Sequence, residues 1–299
     1  MKLSQEETAL IEGFLTSSKI ATNDQITQVH TAGGGCISKA IVIKTRSGKE
    51  FFVKYSISTD EKCNGTSADM FSSEMEGLEA LRVTDTFKVP KPLGYGQVPG
   101  GSILITEKVS LKPLSDQRTF GTQLARLHLF SGSDRFGLDR DNFIGITPQP
   151  NTWNNSWVDF LRMRLEFQFA RAQFLGHLKV ICEELLYRLP EFFRGIEIKP
   201  SLLHGDLWCG NCGEDETGQP VIYDPAVYWG HSEAELGIMR MFGGFADEMY
   251  EAYHKLIPKA PGFKKRSYIY ELYHTVNHYN LFGSGYLGQC QQLLERILD

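Results

Sequence analysis

The stretch Leu203-His204-Gly205-Asp206-Leu207-Trp208-Cys209-Gly210-Asn211, followed after a turn by Val221-Ile222-Tyr223-Asp224-Pro225, decides the reading of this chain. A short apolar run leads into a loop that holds a carboxylate and a carboxamide five residues apart. A second apolar run ends on another carboxylate, thirteen residues past the carboxamide. The intervening Glu214-Asp215-Glu216-Thr217-Gly218 supplies a turn, so the second run can return and bring Asp224 to the loop. Phosphoryl transfer needs one carboxylate to orient and deprotonate the attacking hydroxyl, and nearby oxygen ligands for Mg2+ on nucleotide phosphates. Asp206 is thus the candidate base, and Asn211 and Asp224 the candidate metal ligands. Each half alone is weak, because Asp and Asn are common in loops.

Two upstream features strengthen the pair. Phe51-Phe52-Val53-Lys54 places a lysine at the end of an apolar strand, where it can reach the α- and β-phosphates of ATP. Such a lysine needs a carboxylate to hold it; Glu74 on the following helix is the first candidate and Glu76 the second. Thr31-Ala32-Gly33-Gly34-Gly35-Cys36-Ile37-Ser38 lies between two strands, where backbone amides can cover phosphates, although it is neither G-x-G-x-x-G nor a Walker loop. Standing alone it would read as a hairpin turn. Glycine loop, strand lysine, helix glutamate, Asp-Asn loop and strand-end Asp occur in the order of a kinase.

The texture of the chain agrees. Ser4-Gln5-Glu6-Glu7 is a capping box ahead of a first helix. Strands are expected over 26–31, 39–45, 50–56, 93–97 and 102–107, with a helix over 69–82. Beyond Ser110 helical periodicity dominates, over 119–130, 153–176, 178–189, 233–242, 247–256 and 266–282, with strand-like patches at 202–204 and 221–223. The expected class is α+β: a β-rich lobe over 1–109, a mainly helical lobe over 110–299, and a ligand cleft between.

Bulk properties set the limits. The chain has 299 residues, 41% hydrophobic and 22% charged, values of an ordinary globular protein. A formal charge of -5 without a basic block gives no electrostatic footprint for nucleic acid. No apolar run reaches a membrane span and no signal core opens the chain, so a cytoplasmic protein is expected. Six cysteines in a chain this long do not form a disulfide framework. Cys209 and Cys212 make a C-x-x-C with no second pair to complete a zinc site.

The motifs together resemble the fructosamine-3-kinase (ketosamine kinase) family, relatives of aminoglycoside and choline kinases. The resemblance is carried by Leu203-His-Gly-Asp-Leu-Trp208-x-Gly-Asn211, by Asp224-Pro-Ala-Val-Tyr228-Trp-Gly-His231, by Phe242-Gly-Gly-Phe245, by Asp141-Asn-Phe-Ile-Gly145-Ile-Thr-Pro-Gln149 and by Gly33-Gly-Gly-Cys36-Ile-Ser38. It implies a two-lobed protein-kinase-like fold and ATP with Mg2+ as cofactors. The implied substrate is a ketosamine, free or on glycated protein lysines, phosphorylated on its 3-hydroxyl; the product then sheds the sugar. Site roles follow by position. Asp206 is the base; Asn211 and Asp224 hold metal; Lys54 and Glu74 clamp phosphates; Gly33, Gly34, Gly35, Cys36 and Ser38 cover them; Glu107, Lys108 and Val109 offer backbone groups to adenine. Trp208 walls the sugar, with His231 and Glu233 beside it, a packing role being the alternative for all three. His204 is expected to brace the loop. Cys36 is implied to be redox-active, in a monomer or in a homodimer joined through it. Two departures stand out: Cys212 replaces an apolar residue, and Glu235 stands where an aspartate is common. The competing readings are a kinase of an aminoglycoside or choline-like alcohol, a pseudokinase that only binds nucleotide, and a redox or zinc protein built on Cys209 and Cys212.

Overall fold

The computed structural model describes residues 3–32, 39–57, 61–174 and 176–299, without the side chains of residues 57, 61–68 and 177. The chain opens with helix α1 (Gln5–Ser17), whose Ser4 hydroxyl accepts from the Glu7 amide while Glu7 reaches back to the Ser4 amide. Strands β1 (Ile26–Thr31), β2 (Lys39–Thr45) and β3 (Glu50–Ile57) follow, then helix α2 (Glu61–Val83), β4 (Pro92–Val98) and β5 (Gly101–Glu107). They form one antiparallel five-stranded sheet in the order β1-β2-β3-β5-β4, with α2 carrying the chain from β3 to the far edge.

The period-two alternation of β3 settles which way its lysine points. Phe51, Val53 and Tyr55 are buried with Ile41, Ile43, Ile103 and Ile105 against Ile11 and Leu15 of α1. Lys54 therefore stands on the opposite face, away from α1.

The remainder is mainly helical. It comprises α3 (Gln117–Leu129), a small hairpin of β6 (Asn142–Ile144) and β7 (Thr147–Gln149), α4 (Trp157–Ala172) and α5 (His177–Arg188). Next come β8 (Pro200–Leu203), β9 (Cys212–Glu214), β10 (Pro220–Ile222) and β11 (Tyr228–His231). The chain finishes with α6 (Ser232–Phe242), α7 (Asp247–Leu256), α8 (Phe263–Phe282) and α9 (Leu287–Leu298). One apolar core lies among α4, α5, α8 and α9. A second joins Leu78 and Leu81 of α2 to Phe120 and Leu124 of α3 and to Leu236 and Met239 of α6, so it runs across both lobes. Gly77 makes this docking close: a Cβ there would meet Pro225 at 3.2 Å and Val227 at 3.3 Å. Among the described residues no helix is long and apolar enough to cross a membrane.

Element edges differ from the sequence reading where capping decides them. The helix expected over 153–176 begins only at Trp157, because Ser156 caps it by accepting from the Asp159 amide. It ends at Ala172, because Gln173 turns left-handed with φ 49°. Helix α2 starts earlier than expected, and β6, β7, β9 and β11 had no expectation at all. These strands are three or four residues long, too short to show a period.

Candidate active site

Two short hairpins build the site. β8 pairs antiparallel with β11, and β9 with β10, so the loops after β8 and after β10 emerge side by side. Gly205 opens the first loop at φ 83°, where a Cβ would lie 2.1 Å from the Ala226 carbonyl oxygen. Only glycine fits this contact, and the Ala226 amide then donates to the His204 carbonyl at 2.8 Å, tying the loops together. Asp224 occupies the left-handed region at φ 61°, a conformation that costs on the order of 1 kcal/mol in a non-glycine residue and concentrates at functional sites.

The five sequence-predicted polar groups Lys54, Glu74, Asp206, Asn211 and Asp224 converge. Asn211 donates from Nδ2 to the Asp206 carbonyl at 2.8 Å, to Asp206 Oδ2 at 3.2 Å and to the Asp224 carbonyl at 3.5 Å. Lys54 Nζ donates to Glu74 Oε1 at 2.7 Å and also to Asp224 Oδ1. A β3 lysine, an α2 glutamate and two loop carboxylates thus meet across the space between the sheet and the helical lobe. Glu76, the second candidate, is engaged elsewhere: Arg140 Nη1 donates to it at 2.9 Å and to Ser72 Oγ at 2.9 Å.

The electrostatics suit a proton acceptor. Burial, then the charges of Asp224 and Glu235, push Asp206 well above the usual carboxylate range, against the pull of the Asn211 hydrogen bond and of Lys54. Burial and the Asp224 charge likewise raise Glu74, while Lys54 pulls it down. Burial opposes the charge on Lys54, yet Asp224 and Glu74 outweigh it and hold the ammonium protonated.

Sequence reasoning had no contact to assign to Glu235. This side chain is 1% exposed and accepts from the His204 amide at 2.5 Å and the Gly205 amide at 3.0 Å, the two residues before Asp206. His128 Nε2 sits 3.6 Å from its carboxylate, and His128 Nδ1 bonds the Tyr253 hydroxyl at 2.8 Å. Burial pushes Glu235 up, but His128, His204 and the His204 amide hold it below the usual range. His204 itself bonds the Tyr223 carbonyl through Nε2 at 2.9 Å and accepts from the Asp206 amide at 3.3 Å, so it ties the two loops.

The remaining expected residues fall into distinct places. Glu107 pairs with Phe51 at the end of β5, donates its amide to the Lys91 carbonyl at 2.8 Å, and is followed by half-buried Lys108 and Val109 leading to the helical lobe. Trp208 is half-buried with its ring folded over Gly210, where a Cβ would lie 2.2 Å away. His231 and Glu233 are buried: His231 Nδ1 bonds the Tyr270 hydroxyl at 2.7 Å, and Glu233 takes two bonds from Arg266 at 2.8 and 2.7 Å. Their hydrogen bonds are spent inside the helical lobe. Gly33, Gly34, Gly35, Cys36 and Ser38 lie outside the described residues. Cys212 turns its thiol to the Cys209 carbonyl at 3.8 Å, and burial and Cys209 raise it to about 12. Among the described residues no three His, Cys, Asp or Glu side chains cluster as metal ligands, so the C-x-x-C gains no completing partner there.

For a metal of the magnesium type the donor set fits. Asn211 uses its nitrogen on Asp206, which leaves its Oδ1 as an acceptor, and the Asp224 side chain is 40% exposed toward solvent. Both are hard oxygen donors, and the crowding of Asp206, Asp224 and Glu235 is the kind of negative charge a divalent cation relieves.

A five-stranded sheet with a lysine–glutamate pair, facing an Asp-Asn loop and a strand-end Asp on a helical lobe, is the two-lobed protein-kinase-like fold. The Streptococcus pneumoniae choline kinase LicA shares this fold with a TM-score of 0.67 at 13% identity, covering 99% of each chain. The fructosamine kinase family model matches residues 12–299, and the chain belongs to that family. Mouse ketosamine-3-kinase is 40% identical over 296 residues, which covers 89% of this chain and 93% of the mouse protein. The chloroplastic protein-ribulosamine 3-kinase of Oryza sativa subsp. indica is 41% identical over 300 residues, covering 98% of this chain and 84% of the rice protein. A Haemophilus somnus 129PT crystal structure assigned as a candidate fructosamine-3-kinase superposes with a TM-score of 0.83 at 26% identity, covering 97% of each chain.

Proposed function

We propose that this protein transfers the γ-phosphoryl group of ATP to the 3-hydroxyl of a ketosamine, a fructosyl- or ribulosyl-amine, and so starts the removal of sugars from glycated amines. The observation that carries the reading is the meeting of Lys54, Glu74, Asp206, Asn211 and Asp224 at one point between the lobes. Membership of the family and the names of the mouse and rice relatives support the substrate class.

Asp206 is fixed through Oδ2 by Asn211 and keeps its other oxygen for the sugar hydroxyl. Its raised proton affinity suits it to accept the hydroxyl proton as the oxygen attacks the γ-phosphorus. The new O–P bond forms as the bond from phosphorus to the bridging oxygen of ADP breaks, and ADP leaves. Lys54, steered by Glu74, supplies positive charge to the α- and β-phosphates. Asn211 and Asp224 would hold a magnesium ion, which when bound would supply positive charge against that of the phosphates. By position, Glu107, Lys108 and Val109 meet adenine, and the loop of Gly33, Gly34, Gly35, Cys36 and Ser38 covers the phosphates. Trp208 walls the sugar, while His231 and Glu233, bonded to Tyr270 and Arg266, take the structural role inside the helical lobe. We divide the lobes at residues 1–109 and 110–299. From the sequence we also infer a redox role for Cys36, through a disulfide-joined dimer.

The test is a panel of fructosyl-, ribulosyl- and erythrulosyl-amines, an aminoglycoside and choline, each with ATP and magnesium. The best ketosamine is expected to exceed the other two classes in kcat/KM by about 100-fold or more, because a site built to hydrogen-bond one set of hydroxyls leaves its polar groups unpaired with another. Preference for the aminoglycoside or for choline would overturn the substrate assignment and leave the phosphoryl-transfer chemistry.

A further inference from the structure

An unbroken run of aromatic rings leads away from the catalytic loop. Trp208, two residues past the candidate base, meets Phe242 at 5.3 Å between centroids. Phe242 meets His278 edge-on at 5.1 Å. His278 in turn meets Phe282 at 5.6 Å and Tyr286 at 5.3 Å, and these last two lie 6.3 Å apart. The run is on the surface: Phe242 is 40% exposed and Phe282 53%. Large aromatic side chains left half in water on one continuous strip mark a binding surface more often than chance scatter.

The chemistry of the strip says what it would hold. Phe242 is the last residue of α6 and Phe282 the last residue of α8, so both helices end on it. Helix C-termini carry partial negative charge and favour a cation. Helix α8 has no basic residue in its last turn, and the one in α6, Arg240, lies instead over the Tyr250 and Phe263 rings at 5.7 and 5.6 Å. Among the described residues no lysine or arginine lies over Trp208, Phe242, Phe282 or Tyr286, although such pairs occur on other rings of this chain. Burial holds His278 below its ordinary range, while its Nδ1 bond to the His274 carbonyl at 2.8 Å pulls the other way. The ring faces are apolar and electron-rich, no lysine or arginine among the described residues lies over them, and the strip begins at Trp208, two residues past the candidate base.

We infer that the shelf of Phe242, Phe282 and Tyr286 receives the amine side of the acceptor, a protonated secondary ammonium on an apolar methylene arm such as a glycated lysine presents. The inference rests on the ketosamine reading above and specifies its substrate. Trp208 would face the sugar; beyond it the ammonium finds ring faces and helix ends, and the methylenes find apolar area. Enzymes with this shelf should distinguish ketosamines by their amine as well as by their sugar.

The experiment compares two substrates with one sugar, fructosyl-methylamine and fructosyl-lysine blocked at its α-amine, on wild type, Phe282→Ala and Tyr286→Ala. Both side chains are at least partly in solvent, so the variants should fold, and matching thermal melts will verify it. Wild type is expected to favour the lysine adduct in kcat/KM, and each variant to cut that preference by about five- to tenfold, the weight of an aromatic contact. An unchanged ratio in both variants, with wild type active on both substrates, would overturn the shelf and leave the kinase reading intact. Wild type inert on both substrates would overturn the kinase reading and the shelf together.

Discussion

Asp206→Asn is expected to lower kcat on the best ketosamine by about 1,000-fold, the middle of the range for removing a positioned general base. The carboxamide has the size of the carboxylate and can still accept from Asn211, so the loop should keep its shape. What disappears is the proton acceptor, whose affinity burial and the neighbouring Asp224 and Glu235 raise in the native chain. Steady-state kinetics with a coupled ADP assay gives the number directly. A variant that turns over at the wild-type rate would move the base elsewhere. An inactive wild type with intact nucleotide binding would favour the pseudokinase reading.

Glu235→Ala should be the most damaging substitution for stability at the site. Its removal strands the buried amides of His204 and Gly205, and leaves His128 facing nothing. An unsatisfied buried amide costs about 1–3 kcal/mol, so two imply about 2–6 kcal/mol in all. For a chain of this size that corresponds to a fall in Tm of about 3–10 °C. Activity should fall with it, since the two amides directly precede Asp206. Glu235→Gln keeps one oxygen acceptor and should lie between the two. Thermal melts of the three proteins give the check; a melt of Glu235→Ala within 2 °C of wild type would show that the amides find other partners.

The parts of this architecture that were legible in the sequence are those with a period or a cap. The β3 alternation of Phe51, Val53 and Tyr55 set Lys54 on the opposite face, and the Ser4 box opened α1. The Asp206–Asn211 spacing and the return run to Asp224 were legible because loop length limits where the chain can go. Long-range partners were not. Nothing in the local sequence tells that Glu235 turns back to the amides of residues 204 and 205, or that His128 and Tyr253 stand behind it. Such contacts depend on how α3, α6 and α7 pack, which a one-dimensional pattern does not encode. The same holds for Arg140, which takes Glu76 out of the contest for Lys54. A charge at the start of α6, Glu233 and Glu235 in a mostly apolar helix, was the one available signal: both are buried, and buried carboxylates need partners.

The central claim is that Lys54, Asn211 and Asp224 surround one metal-bound nucleotide while Asp206 addresses the acceptor. Titration of magnesium-ADP into wild type, Asp206→Asn and Asp224→Asn, with a parallel series in chelator, tests it most directly. Affinity should weaken about tenfold or more in Asp224→Asn and in chelator, as loss of a metal ligand or the metal implies, and stay within about twofold in Asp206→Asn. Equal affinities in all three proteins, unaffected by chelator, would contradict the assignment.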